Sequence, residues 1–176
     1  MAGKTTSLTN LFYIAEGPKA VLTDDWTLIS EQDNSAISLE KTISFTRRFA
    51  KEFEFLGLSR HFNPMDPEKK FLLPEELYGA GTRIESANID AVFILEPINR
   101  EDLISRVDTN YAARSIVDCA DHMPICNVRD YQNHVDFWVD FLERRAVFSF
   151  DTRNKIGAKK SYEILYRFIT KNVNKV

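Results

Sequence analysis

Gly3-Lys4-Thr5-Thr6 is a run whose residue types suit phosphate binding. A glycine lets backbone N–H groups close around phosphate oxygens, a lysine reaches the β- and γ-phosphates, and the next hydroxyl can ligate Mg²⁺. The full pattern, G-x-x-x-x-G-K-[ST], joins a strand to a helix whose N-terminus adds positive potential. Here Leu8, Leu11, Phe12 and Ala15 follow at helical spacing up to Gly17-Pro18, so residues 4–16 are predicted to be a helix. The chain starts at Met1, so the earlier glycine and its strand do not precede Gly3, and a loop cut short in this way is expected to weaken or silence catalysis. The competing reading is a basic N-terminal segment in which Thr6 or Ser7 caps a helix.

A second chemical group is Asp24-Asp25, which ends the short apolar segment Ala20-Val21-Leu22-Thr23. A nucleotide-binding chain that returns after its first helix can deliver a carboxylate at such a strand end, toward a metal ion or an attacking hydroxyl. Adjacent carboxylates can divide that labour, one holding Mg²⁺ and one accepting a proton. The plain alternative is an Asp-rich turn between two strands.

Other residues carry weaker signals. Lys69, Lys70, Arg83 and Arg100 flank expected strand ends, where one could neutralise a transferring phosphoryl group, although a solvated basic side chain is the ordinary reading. Cys119 and Cys126, with His122 and Asp118 nearby, lack the closely spaced pairs of a zinc site and read as free thiols. His61, His122 and His134 read as core or surface histidines; on a helix, His134 and Asp136 would not face each other.

The positioning elements follow from pattern and punctuation. Trp26 to Ile29 reads as extended, and Ser30 to Ser35 as a loop. Ile43 to Leu56 is expected to be one helix, with Phe45, Phe49 and Phe53 forming a core stripe. Asn63-Pro64-Met65-Asp66-Pro67 is a turn by its residue chemistry, followed by a strand at residues 69–73 and a joint at Gly79-Ala80-Gly81. Ala91-Val92-Phe93-Ile94-Leu95 is a continuous apolar run that suggests a strand buried on both faces. Residues 100–120, 130–145 and 158–172 look helical, and Ala146 to Phe150 look like a strand. No linker or repeat interrupts this order, so one α/β domain over residues 1–176 is expected.

Composition narrows the class of function. The 44% hydrophobic and 28% charged content, with 13 Phe, is that of a globular protein with an aromatic core. A net charge of −3 gives no bulk attraction to nucleic acid or to an anionic membrane. No apolar run approaches the roughly 20 residues that span a bilayer, and residues 1–7 lack an apolar signal region. A cytoplasmic protein is expected, with neither nucleic acid nor membrane as partner.

Gly3-Lys4-Thr5-Thr6, followed by Val21-Leu22-Thr23-Asp24-Asp25-Trp26, resembles the superfamily of HPr serine kinase and phosphoenolpyruvate carboxykinase. It looks most like the HPr-kinase-like proteins that carry a G-K-[ST]-T loop and an S-D-D-W turn. Lys69 to Pro74 resembles their K-x-x-x-P strand, and Ala91 to Pro97 their central strand; the resemblance spans residues 3–97. It implies a P-loop kinase-like α/β fold, a mixed β-sheet with flanking helices, here without the first P-loop strand. It also implies ATP and Mg²⁺ as cofactors. By position, Gly3, Lys4, Thr5 and Thr6 would bind the nucleotide, and Thr5 with Asp25 would hold the metal. Asp24 would act as base, or the order of the two aspartates is reversed. The G-x-G-x-I-D-V signature of true HPr kinases is absent, so HPr itself is not implied as substrate. The function implied is ATP-dependent phosphoryl transfer to a hydroxyl of a protein serine or a small molecule. The alternatives are a non-catalytic nucleotide- or protein-binding module of the same fold, and an unrelated α/β domain in which the G-K-T run is accidental. An oligomer is compatible with either kinase-like reading.

Overall fold

Short strands and helices alternate along the chain, and where each begins is set by a small number of side chains. The structure, a computed structural model, describes residues 4–17, 19–23, 27–30, 35–62, 65, 68–97, 102–119, 127–153, 156 and 158–173. The residues group into two compact units, Gly3–Asn88 and Ile89–Val176.

The first unit contains α1 (Lys4–Ile14), β1 (Thr27–Ile29), β2 (Ser35–Ser38), β3 (Ile43–Thr46), α2 (Arg47–Glu52), β4 (Lys69–Leu72), α3 (Pro74–Tyr78) and β5 (Ser86–Asn88). Two 3₁₀ turns, Glu54–Leu56 and Leu58–His61, follow α2, and Gly57 at φ 66° supplies the left-handed residue between them. Strands β1, β2 and β5 make an antiparallel sheet in that spatial order, and β3 pairs antiparallel with β4.

The segment expected to be a single helix from Ile43 to Leu56 divides at Thr46. Before it, Ile43, Ser44 and Phe45 are buried and pair with Leu72, Phe71 and Lys70. Thr46 then takes extended backbone, and its Oγ1 accepts the Phe49 N–H at 3.2 Å, the N-cap bond that starts α2. A β-branched and an aromatic residue ahead of a capping threonine favour a strand that turns into a helix. The aromatic stripe survives the change. Phe45, Phe49 and Phe53 share one buried cluster with Phe12, Val21, Ile43, Ala50, Leu58 and Leu77. Each phenylalanine buried in this way contributes about 1.5–3 kcal/mol relative to exposure.

The second unit contains β6 (Ala91–Glu96), β7 (Ile104–Arg106), α4 (Thr109–Cys119), α5 (Val128–Glu143), β8 (Ala146–Asp151) and α6 (Ala158–Asn172). Its sheet has the order β6-β8-β7, with β6 parallel and β7 antiparallel to β8. The strand buried throughout its later part is β8, from Val147 to Asp151, because it lies between two neighbours. Strand β6, expected to be covered on both faces, is only half-buried from Ala91 to Leu95, as suits an outer strand of this sheet. The expected helix over 100–120 is shorter, since Ile104–Arg106 joins the sheet as β7 before α4 begins. Asn127 caps α5 by accepting the Asp130 N–H at 3.0 Å. At the other end Arg145 donates from Nε to the Ile89 carbonyl at 3.0 Å and from Nη1 to Phe141 O, and its guanidinium lies over the Phe141 ring.

The single mixed β-sheet that the resemblance implies would join Ala20–Thr23 to Ala91–Leu95, and among the described residues the two do not pair in one sheet. Val21 forms an isolated parallel bridge to Arg83 in the first unit, whereas β6 pairs with β8 in the second. Among the described residues, the pairing of Ala20–Thr23 is reduced to this bridge.

Candidate functional site

Helix α1 begins at Lys4, so Lys4, Thr5 and Thr6 form its first turn. That turn holds no acidic side chain to offset the positive end of the helix. Lys4 is exposed, and Thr5 and Thr6 are half-buried. Burial runs along Ser7, Thr9 and Phe12 rather than along the leucines; Leu8 packs on the cluster only partly buried.

The helix is anchored at several points. Thr9 Oγ1 and Tyr78 OH are hydrogen-bonded at 2.7 Å, and Phe12 stacks on Tyr78 with ring centroids 4.3 Å apart. The Tyr13 hydroxyl donates to Leu77 O at 3.1 Å, and burial pushes its pKa above the ordinary 10.0. At the C-terminal end, Lys19 Nζ donates to Phe12 O at 2.5 Å and to Ala15 O at 2.7 Å, and lies over the Phe12 ring. A cation on the last carbonyls of a helix is where its dipole is best satisfied. The first turn is therefore held by a fixed helix.

Gly3, Asp24 and Asp25 lie outside the described residues, as do Arg100, His122 and Cys126. The chain leading to the aspartates is described as far as Thr23. Val21 is buried; its N–H donates to Thr82 O at 2.6 Å, and its carbonyl accepts the Ile84 N–H at 3.1 Å. Arg83 thus runs beside this segment, with Nη2 3.9 Å from Glu85 Oε1. Among the other candidates, Lys69 and His61 are exposed, Lys70 and His134 are half-buried, and Cys119 is a free, exposed thiol. Asp136 accepts a hydrogen bond from Gln132 Nε2 at 2.6 Å. Among the described residues, no three His, Cys, Asp or Glu side chains cluster closely enough to hold a metal ion.

The structure also contains a polar group that the sequence reading passed over. Glu96 and Asp151 end the parallel strands β6 and β8 and are register partners, 6% and 3% exposed. The Tyr111 hydroxyl donates to Glu96 Oε1 at 2.5 Å, and Asp151 Oδ1 accepts the Arg153 N–H at 2.9 Å. The carboxyl ends of parallel strands are where α/β sheets concentrate chemistry. A signal was present, since Ala91-Val92-Phe93-Ile94-Leu95-Glu96 and Ala146-Val147-Phe148-Ser149-Phe150-Asp151 match in type and end in an acid. Farther along, Tyr131 donates to Asp118 at 2.9 Å, which raises the phenol's pKa, and burial lowers that of Arg145.

No protein-family model matches the chain, and no curated protein or solved structure matches it significantly. What is established is a mixed α/β protein with several small sheets. Among the described residues, no helix is long and apolar enough to cross a membrane.

Proposed function

We propose that the chain binds the phosphates of a nucleoside triphosphate at the start of α1 and serves ATP-dependent phosphoryl transfer to a hydroxyl, on a protein serine or a small molecule. The observation that carries this reading is that α1 opens at Lys4, with Thr5 and Thr6 in the same turn. The first N–H groups of a helix lack intrahelical acceptors and suit an anion, and a lysine beside them adds a full charge. A resemblance to HPr-kinase-like proteins over Gly3–Thr6 and Val21–Trp26 points the same way.

In this reading Lys4 contacts the outer phosphates, and the Thr5 hydroxyl with Asp25 would hold Mg²⁺. When bound, the metal supplies neutralisation of charge on the transferred group. Asp24 takes the proton of the acceptor hydroxyl, a task suited to a carboxylate within hydrogen-bond reach. Catalysis of this kind is mostly positioning and electrostatics, so the anchoring of α1 by Tyr78, Tyr13 and Lys19 serves the site directly.

Calorimetric titration with Mg-ATP tests the reading. The wild-type chain is expected to bind, Lys4→Ala to lose about tenfold or more in affinity, and Asp24→Asn to bind while losing ATP turnover. Wild-type affinity no better than about 1 mM, or binding indifferent to Lys4→Ala, would sink it.

A further inference from the structure

Buried polar atoms without partners are rare in folded proteins, and each asks for a reason. Among the described residues there are four: Thr23 Oγ1, Glu75 Oε2, Arg83 Nε and Trp138 Nε1. Two of them belong to chain segments that run side by side, because the parallel bridge joins Val21 to Arg83. Both of these can donate a hydrogen bond: the Arg83 Nε–H always, the Thr23 hydroxyl by rotation. An extended chain advances about 3.3 Å per residue and returns to the same side every second residue, so extended backbone beyond the bridge would set Thr23 about 7 Å from it on the side of Val21. An arginine side chain together with a tetrahedral anion can span that distance.

We infer that Arg83 and Thr23 form an anion-binding wall that takes a phosphoryl group, with Arg83 Nε–H and the Thr23 hydroxyl as its donors. Arginine fits this role because its guanidinium keeps its charge when partly buried and presents several N–H groups in a fixed plane. Glu85, whose side chain is 90% exposed, stands 3.9 Å from Nη2, too distant and too solvated to occupy the guanidinium fully. Nε faces inward and is the donor left over. The identity of the phosphoryl group as part of a nucleotide or of its acceptor rests on the function proposed above. The anion site itself rests on the two buried donors.

The test uses the full chain and two probes, Mg-ATP by calorimetry and inorganic phosphate by thermal shift. Arg83→Gln and Thr23→Val are each expected to weaken Mg-ATP binding about tenfold or more, with Arg83→Lys intermediate. Thr23→Val is isosteric, leaves no partner stranded, and is expected to keep or raise the melting temperature, so it decides the matter if Arg83→Gln fails to fold. Inorganic phosphate is expected to stabilise wild type and Lys4→Ala alike, but not Arg83→Gln. That pattern without any Mg-ATP binding would support the anion site while removing the nucleotide reading. Mg-ATP binding and phosphate stabilisation unchanged in both Arg83→Gln and Thr23→Val would overturn the inference and leave the α1 reading standing. A wild-type chain that responds to neither probe overturns both.

Discussion

The two units of this protein treat their buried polar groups differently. In the second, the carboxylates at the ends of β6 and β8 are almost wholly buried, yet a tyrosine hydroxyl bonds one and a backbone N–H bonds the other. In the first, buried atoms of Thr23, Glu75 and Arg83 stand without hydrogen-bond partners, against Trp138 alone in the second among the described residues. Among the described residues, the first unit also carries most of the exposed large apolar side chains, including Leu28, Leu39, Phe55 and Phe71. A buried polar group with a partner helps to fix a fold, and one without a partner costs stability until something binds it. The three unpartnered atoms Thr23 Oγ1, Glu75 Oε2 and Arg83 Nε thus lie in the unit that also contains Lys4, Thr5 and Thr6.

The largest expected effect asks whether the two units are separate cooperative structures. Phe45→Ala in the first and Phe150→Ala in the second, both essentially inaccessible, should each cost about 3–5 kcal/mol in denaturant unfolding. Hydrogen exchange should then rise first in the unit that carries the substitution. Equal acceleration in both units from either change would dissolve the comparison.

A smaller effect bears on the partnered carboxylates. Tyr111→Phe removes the hydroxyl that donates to Glu96 and should destabilise by about 1–3 kcal/mol, because a buried acceptor loses a donor. Thr23→Val, at an atom with no partner to strand, should be neutral or mildly stabilising in the same unfolding assay. If the order of the two were reversed, the contrast between the units would be wrong.

The smallest effect is a pH dependence in the first unit. Tyr13 is desolvated, so its folded pKa lies above the ordinary 10.0 while the unfolded chain ionises near that value. The neutral phenol's contribution is therefore complete below the unfolded pKa and is lost as pH rises through the folded one. Stability measured from pH about 9 upward should fall more steeply for wild type than for Tyr13→Phe. Parallel curves would show that Tyr13 is no more buried than it is in the unfolded chain.

Much of the local structure was legible in residue chemistry. Helices α1, α5 and α6 and strands β4, β6 and β8 lie where periodicity and the breakers Gly17 and Pro74 suggested. The Phe45, Phe49 and Phe53 stripe is core, as its spacing implied. The sequence could not separate β3 from α2, because Ile43 to Phe53 satisfies a strand's alternation at its start and a helix's spacing beyond it. Thr46 resolves the ambiguity only once β4 is available to pair with Ile43 and Phe45. At the candidate site, the types and order of Lys4, Thr5 and Thr6 placed them at a helix start, since a polar run before spaced apolar residues has few other local solutions.

Partnership was left to the tertiary structure. Whether Ala20–Thr23 pairs with the segment at Arg83 or with Ala91–Leu95 depends on which backbone donors lie nearby after the chain has folded, and either pairing satisfies the same apolar pattern. The meeting of Glu96 with Asp151, and of Val21 with Arg83, is likewise a matter of register. A ladder brings together residues far apart in sequence, and the shift of one position that would separate them leaves the composition of both strands unchanged.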